Sequence, residues 1–107
     1  MSTERLSTER LSASELGAPL GERLTFVQFS SAFCGPCRMT RQVLERVAAT
    51  SDGVVHLELD VVRDQDLAET LEIVQTPTVL VLDGTGAVRH RLTGVPTVAA
   101  ARALVTA

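Results

Sequence analysis

The sequence predicts one small α/β domain, in which helices cover both faces of a small mixed β-sheet. Three observations support this fold class. Short apolar runs that favour strands alternate with segments that have helical spacing, the chain has 107 residues, and 45% of them are hydrophobic. The first half has strand–helix–strand order, which implies parallel strands joined by a right-handed crossover, and the second half contains a hairpin.

The N-terminal segment differs from the rest of the chain. It is polar, and the pentapeptide STERL occurs twice in succession from residue 2. We expect residues 1–20 to form an arm that is partly disordered or carries a short helix, which Gly17 and Pro19 would end. The α/β domain is then expected to occupy residues 21–107.

The first half of the domain predicts a strand, a helix and a second strand. Residues 24–29 (LTFVQF) favour a buried strand, and residues 54–60 (VVHLELD) favour the second one. The intervening helix would end at residues 51–53 (SDG). Helical spacing gives this helix an apolar stripe that we expect to face the core: Met39, Val43, Leu44, Val47 and Ala48.

The second half predicts a short helix, a hairpin and a closing helix. Asp64 would cap the short helix, which carries Leu67, Ala68 and Leu71. Residues 78–82 (TVLVL) and 87–92 (AVRHRL) predict two strands joined by the turn sequence DGTG, and alternation in the second suggests one solvent-facing side. Residues 97–106 predict the closing Ala-rich helix.

Composition and charge argue against several classes of function. The net charge of −3 does not suit a nucleic-acid-binding surface, and no apolar run approaches the roughly 18–20 residues of a membrane span. Neither a G-x-G-x-x-G nor a P-loop motif is present, so no bound nucleotide is expected. No apolar signal-peptide core is visible either, and we expect a cytoplasmic protein. All ten basic residues are Arg, which suggests a GC-rich bacterial genome.

The two cysteines form the motif Cys34-Gly35-Pro36-Cys37, at the junction of the first strand and the first long helix. Unpaired N–H groups and the helix dipole at this end would stabilise a Cys34 thiolate and lower its pKa. Gly35 adds little steric cost, and Pro36 suits the first helical turn. We therefore expect Cys34 to attack a substrate disulfide and Cys37 to resolve the mixed disulfide.

Three motifs resemble the thioredoxin family. The segment FVQFSSAFCGPCRM is similar to the family's active-site segment, and Thr76-Pro77-Thr78 follows Val74 and Gln75 as in the family. Gly94, after the last strand, is similar to a glycine in the family's substrate groove. The resemblance covers roughly residues 24–107 and implies a thioredoxin-like fold.

The resemblance also implies a site and an activity. Pro77 would be cis beside the cysteine pair, with the preceding backbone pairing to an extended substrate. The residues implied around this groove are Phe33, Pro36, Val74, Gln75, Thr76 and Gly94. The implied activity is reduction of protein disulfides by a monomer that binds no cofactor beyond its redox-active disulfide and is recharged by a thioredoxin reductase-type, NADPH-linked donor.

Several residues depart from the family pattern. Gln28 stands where most members have a buried Asp that takes a proton from the second cysteine, and a neutral amide cannot do so. Phe33 and Ser30 replace tryptophans, His56 replaces a Lys, and Gln42 replaces a helix-kinking Pro. We therefore expect altered proton handling at Gln28, with water or another group accepting the proton, and we expect Gln28→Asp to speed resolution.

Other interpretations of the cysteines stay open. The fold could serve as a binding or redox-regulatory module, or the pair could act as an oxidase or isomerase in an oxidising compartment. A zinc site would need two more ligands. Only His56 and His90 are available as further soft ligands, and they lie on separate predicted strands, so no metal is expected. Arg38 is either a surface charge or a group that lowers the thiol pKa.

Overall fold

The protein is described by a computed structural model over residues 9–106, so the first STERL copy and the rest of the predicted arm up to residue 8 lie outside the described residues. The described chain contains these elements in order: α1 (Ala13–Leu16), β1 (Leu24–Ser30), α2 (Gly35–Ala49), β2 (Val54–Asp60), α3 (Gln65–Thr70), β3 (Thr78–Asp83), β4 (Val88–Thr93) and α4 (Val98–Thr106).

The four strands form one mixed sheet in the order β2-β1-β3-β4. Strand β1 runs parallel to β2 and antiparallel to β3, while β3 and β4 form the antiparallel hairpin. The predicted mixed sheet with helices on both faces is confirmed. The central position of β1 places its C-terminal end, which leads into the two cysteines, in the middle of one edge of the sheet.

Side chains alternate along β1, so that Phe26 and Val27 contribute to different hydrophobic clusters. One cluster contains residues of the sheet, of α3 and its C-cap, and of the segment before β1: Leu11, Leu16, Val27, Phe29, Leu59, Ala68, Leu71, Leu80, Leu82 and Val88. The other contains residues of the sheet, α2 and α4: Leu24, Phe26, Leu44, Val47, Val54, Val79, Val81, Ala101 and Val105. The core is aliphatic apart from two phenylalanines, as the composition requires.

The segment before β1 packs against the sheet. Helix α1 is the short helix that was one of the two alternatives for this segment, and it has a capping box between Ser12 and Glu15. The backbone N–H of Leu11 donates to the carbonyl of Gly86 at 2.9 Å, and Leu11 is buried. A Cβ on Gly86 would lie 2.3 Å from the Leu11 carbonyl oxygen, so only glycine fits there. The predicted boundary between arm and domain at residue 20 stays a prediction. The hydrogen bond between Leu11 and Gly86 joins the two sides of this boundary.

Two details of the predicted helices are wrong. Met39 is 57% exposed rather than part of the core-facing stripe, whereas Thr40 is fully buried on the inner face of α2. Asp64 occupies the N-cap position of α3, but its side chain makes no capping hydrogen bond. Its backbone (φ −107°, ψ 43°) is not in the extended region typical of such caps, and its carboxylate instead contacts the Arg63 guanidinium at 3.2 Å.

Strand β4 also differs from its prediction, because it begins at Val88 and continues to Thr93. Val88 pairs with Leu82, but the next pair joins His90 to Val81, so the register shifts by one residue. This irregularity leaves Arg89 and His90 both exposed and breaks the predicted alternation. No helix within the described residues has the length and apolar content to cross a membrane.

Candidate functional site

The two cysteines form a disulfide where β1 gives way to α2, with Cα atoms 5.2 Å apart. Cys34 is the N-cap of α2 and is partly exposed, whereas Cys37 is buried in the first turn. The backbone N–H of Cys37 donates to Cys34 Sγ at 3.1 Å. Pro36 lies in the first turn, where a missing N–H costs no helical hydrogen bond. This arrangement stabilises negative charge on Cys34 once the disulfide is reduced.

Phe33, directly before Cys34, is the most exposed large apolar side chain among the described residues. Its relative exposure is 104%, so the ring packs against nothing. Its φ of 59° lies in the left-handed region, which a bulky residue rarely adopts. The local backbone thus holds an aromatic ring in solvent beside the partly exposed cysteine.

The peptide bond between Thr76 and Pro77 is cis, as the resemblance implied. The side-chain oxygens of Thr76 and Ser31 lie 2.8 Å apart, which joins this segment to the loop that carries Cys34. The Gly94 N–H donates to the Pro77 carbonyl at 3.3 Å. Gly94 has a φ of 79°, which favours glycine, and open space where a Cβ would stand.

Val74 and Gln75, which precede this cis bond, are both exposed, Val74 by 91%. They line a shallow cavity of about 240 Å³ together with Ser31, Val61, Ile73 and Thr76. The contact between Ser31 and Thr76 therefore joins the predicted groove residues before β3 to the loop that carries Cys34, at one end of the sheet.

Gln28 is fully buried on the face of β1 that α2 covers. Its amide nitrogen donates to the Cys37 carbonyl oxygen at 2.8 Å and to Ser30 Oγ at 3.0 Å. Its amide oxygen lies 2.9 Å from His56 Nε2. A carbonyl can only accept a hydrogen bond, which fixes the amide orientation, so His56 must carry a proton on Nε2. Burial lowers the pKa of His56 below its ordinary value.

Glu58 is one of the residues of this site that the sequence did not reveal. It pairs with Gln28 across the parallel strands, and its Oε2 accepts a 2.7 Å hydrogen bond from Ser30. The Arg41 guanidinium binds both carboxylate oxygens, at 2.6 and 2.9 Å. Burial alone would raise the pKa of Glu58, but the hydrogen bonds from Arg41 and Ser30 outweigh it and lower the pKa. The available signal was the spacing of two from His56, which places both on one face of β2.

The two histidines do not form a metal site together with the cysteines. His90 is exposed on β4, and His56 is bound to Gln28. Within residues 9–106, no group of three or more His, Cys, Asp or Glu side chains has an arrangement that could hold a metal ion.

A sequence model of the family described as Thioredoxin matches residues 10–106. The chain belongs to the thioredoxin family. Its redox-active group is the protein's own Cys34–Cys37 disulfide, and thioredoxins need no separate cofactor.

Curated relatives agree with this assignment over part of their length. Thioredoxin from Sus scrofa is 40% identical over 58 residues, which are 54% of this chain and 55% of the relative. Thioredoxin-2 from Saccharomyces cerevisiae is 33% identical over 79 residues, 72% of this chain and 76% of the relative. The chain spans about half the length of the mammalian thioredoxins it matches, and 11% of thioredoxin domain-containing protein 2 from Mus musculus.

Solved structures share the fold over more of the chain. Chloroplastic thioredoxin z superimposes with a TM-score of 0.76 at 27% identity, covering 94% of this chain and 92% of that one. A mutant thioredoxin from Halobacterium salinarum gives a TM-score of 0.70 at 26% identity, covering 78% and 73% of the two chains.

Proposed function

We propose that this chain is a thiol–disulfide oxidoreductase that reduces protein disulfides through Cys34 and Cys37. The observation that carries the proposal is the asymmetric disulfide at the start of α2. Cys34 is accessible and receives the Cys37 N–H, whereas Cys37 is buried. An accessible, stabilised thiolate beside a protected thiol suits attack by the first sulfur and resolution by the second.

The reaction balances as two exchanges. The Cys34 thiolate attacks one sulfur of the substrate disulfide, and the other substrate sulfur leaves as a thiolate that takes up a proton. Cys37 then loses its proton and attacks Cys34 Sγ, so the second substrate thiolate leaves and the Cys34–Cys37 disulfide forms. Two electrons pass from the protein dithiol to the substrate.

The same proposal assigns a substrate surface. An extended substrate segment would pair with backbone at Thr76, before the cis Pro77, and its apolar side chains would contact exposed groups around the cysteines. The groups assigned to this surface are Phe33, Pro36, Val74, Gln75 and Gly94. Their exposure and the Ser31–Thr76 and Gly94–Pro77 contacts support the assignment.

The oxidised protein needs an electron donor to act again. By family resemblance, we propose a thioredoxin reductase-type, NADPH-linked partner and a monomeric protein in a bacterial cytoplasm. The CGPC motif supports the reducing direction, and thiols in that compartment are kept reduced. The use of Arg at all ten basic positions supports the bacterial origin.

The test combines the reduction potential of the disulfide with dithiothreitol-driven reduction of insulin, using Cys34→Ser as the control. A potential of about −270 mV with turnover that Cys34→Ser abolishes supports the reductase, whereas about −120 mV would indicate an oxidant. Absence of turnover in the intact protein would contradict the proposal and favour a binding or redox-regulatory module.

A further inference from the structure

An ion pair lies behind the buried cysteine, between α2 and β2. Arg41 Nε and Glu58 Oε1 are 2.6 Å apart, and the side chains of Arg41 and Glu58 are 37% and 25% exposed. Arg41 Nη2 holds the second carboxylate oxygen at 2.9 Å, so the contact is bidentate. Its geometry restricts both charges to one place in the site.

Short polar contacts connect this pair to the cysteines. Ser30 Oγ donates to Glu58 Oε2 at 2.7 Å, and the Gln28 amide nitrogen lies 3.4 Å from the same oxygen. That amide also donates to the Cys37 carbonyl at 2.8 Å. Arg41 itself is four residues after Cys37 on α2, one helical turn away.

We propose that Arg41 and Glu58 shift the reduction potential of the Cys34–Cys37 disulfide in opposite directions, with Gln28 coupling the carboxylate to the backbone of Cys37. Arg41 and Glu58 are positioning residues, since their side-chain hydrogen bonds within residues 9–106 involve no sulfur atom. The inference rests on the proposed function, because it assumes that the disulfide is reduced in the working cycle. The experiment measures the equilibrium reduction potential of the disulfide, which can be determined whether or not the protein reduces protein substrates.

The physical basis is the charge that reduction creates. The disulfide is neutral, and two electrons with one proton convert it into one thiolate and one thiol. A nearby cation favours that product and raises the potential, whereas a nearby anion lowers it. In the intact protein the Arg41 and Glu58 charges oppose each other, so removing either one exposes the effect of the other.

Other charged or titratable groups surround the pair and must stay constant in the comparison. His56 and Glu45 contribute to the field at Arg41, Glu58 or both. Arg41 and Glu58 also line a polar cavity of about 260 Å³ that contains Ser30, Ser31, Leu59, Asp60 and Arg63. Solvent in this cavity screens both charges, so we expect moderate effects.

The experiment equilibrates each variant with reduced and oxidised glutathione, which supplies the two electrons, at pH 7.5. Glu58→Gln should increase the equilibrium constant for reduction about threefold, or about 15 mV. Arg41→Gln should decrease it by a similar factor, and the double variant should return close to the intact protein. Arg41→Lys keeps the charge and should stay near the intact value even though it loses the bidentate contact.

Matched controls carry the same charge changes at the opposite end of the sheet. Asp83, the partner of Arg89, pairs with Leu24 at the start of β1, whereas Cys34 follows the end of that strand. Glu22 stands two residues before β1 begins, beside Gly84 in the turn between β3 and β4. Arg89→Gln and Glu22→Gln should therefore leave the potential unchanged. At a pH low enough to protonate both thiols after reduction, the opposite shifts of the two site variants should shrink, because the product then carries no thiolate.

The sign of the shifts decides the outcome. A purely structural role predicts that Glu58→Gln and Arg41→Gln, which weaken the same contact, shift the potential in the same direction. Same-direction shifts, no shifts, or equal shifts in the control variants would overturn the proposal. Opposite shifts without insulin reduction would uphold it while contradicting the reductase function.

Discussion

Gln28 donates a 2.8 Å hydrogen bond from its amide nitrogen to the carbonyl oxygen of Cys37, so a neutral side chain stands directly behind the buried cysteine. The amide oxygen is held by His56, and the amide nitrogen also approaches Ser30 and Glu58. Gln28 therefore fixes the first turn of α2 against β1 and β2. It cannot accept the proton that Cys37 would lose in the proposed resolving step.

Replacing the Gln28 amide with a carboxylic acid separates the effect of this position on stability from its effect on proton transfer. Gln28→Asp should speed resolution by Cys37 near neutral pH, since a buried carboxylate can take the proton. It should also lower the free energy of unfolding by about 1–3 kcal/mol, because buried hydrogen bonds to Cys37 and Ser30 are lost. Single-turnover kinetics and urea denaturation measure the two effects.

Gln28→Asn is the matched control, since it shortens the side chain equally without adding an acid. We expect a similar loss of stability and no faster resolution. An unchanged or slower single-turnover rate in Gln28→Asp, or an equal gain in Gln28→Asn, would contradict a proton-accepting effect at this position.

His56 gives stability a distinct pH dependence. Burial holds its pKa below the ordinary value of about 6.5, so the unfolded chain binds a proton at a higher pH than the folded protein does. The free energy of unfolding should therefore fall as the pH drops below about 6.5, and the loss should level off once folded His56 is protonated.

The His56→Gln variant retains an N–H donor for Gln28 and does not titrate. Chemical denaturation between pH 5 and 8 should show a flatter profile for this variant than for the intact protein. Identical slopes in the two proteins would show that His56 keeps its ordinary pKa in the folded state.

Phe33 should matter for substrates rather than for the fold. The exposed ring contributes nothing to the core, so Phe33→Ala should change the free energy of unfolding by no more than about 0.5 kcal/mol. Loss of an apolar contact should lower kcat/KM for insulin by about fivefold, while the rate with a small aromatic disulfide stays nearly constant. Equal losses with both substrates would indicate that Phe33 acts on the cysteines instead.

The inner face of α2 supports a comparison within one helix. Leu44 is fully buried and Met39 is 57% exposed. Leu44→Ala should reduce the free energy of unfolding by about 2–5 kcal/mol, and Met39→Ala by no more than about 0.5 kcal/mol. Guanidinium denaturation checks both, and a large loss in Met39→Ala would contradict the assigned face.

Sequence alone was sufficient for the element order, because the apolar runs, the DGTG turn and the Cys34–Cys37 junction each carry strong local signals. It did not reveal that Met39 turns outward and Thr40 inward, since helical spacing leaves the orientation open by one residue. The irregularity at Arg89 was invisible for a related reason. Strand register depends on the partner strand, which local alternation does not report.

The residues of the site likewise include some that the sequence revealed and some that it did not. The cysteines, the cis Pro77 and Gly94 occur in recognisable motifs, so the sequence located them. Glu58 and Arg41 belong to no motif, and their meeting depends on how α2 packs over β2. The position of Gln28 was predicted, but its bonds to Cys37 and His56 required the folded arrangement of three elements.

In the proposed cycle, Cys34 attacks the substrate disulfide and Cys37 resolves the mixed disulfide. The most direct measurement incubates reduced Cys37→Ser and Cys34→Ser variants with a protein disulfide and detects mixed disulfides by non-reducing electrophoresis and mass spectrometry. We predict a stable mixed disulfide through Cys34 in Cys37→Ser and little or none in Cys34→Ser, where the remaining thiol is buried. Preferential trapping through Cys37, or no adduct with either variant, would contradict the account.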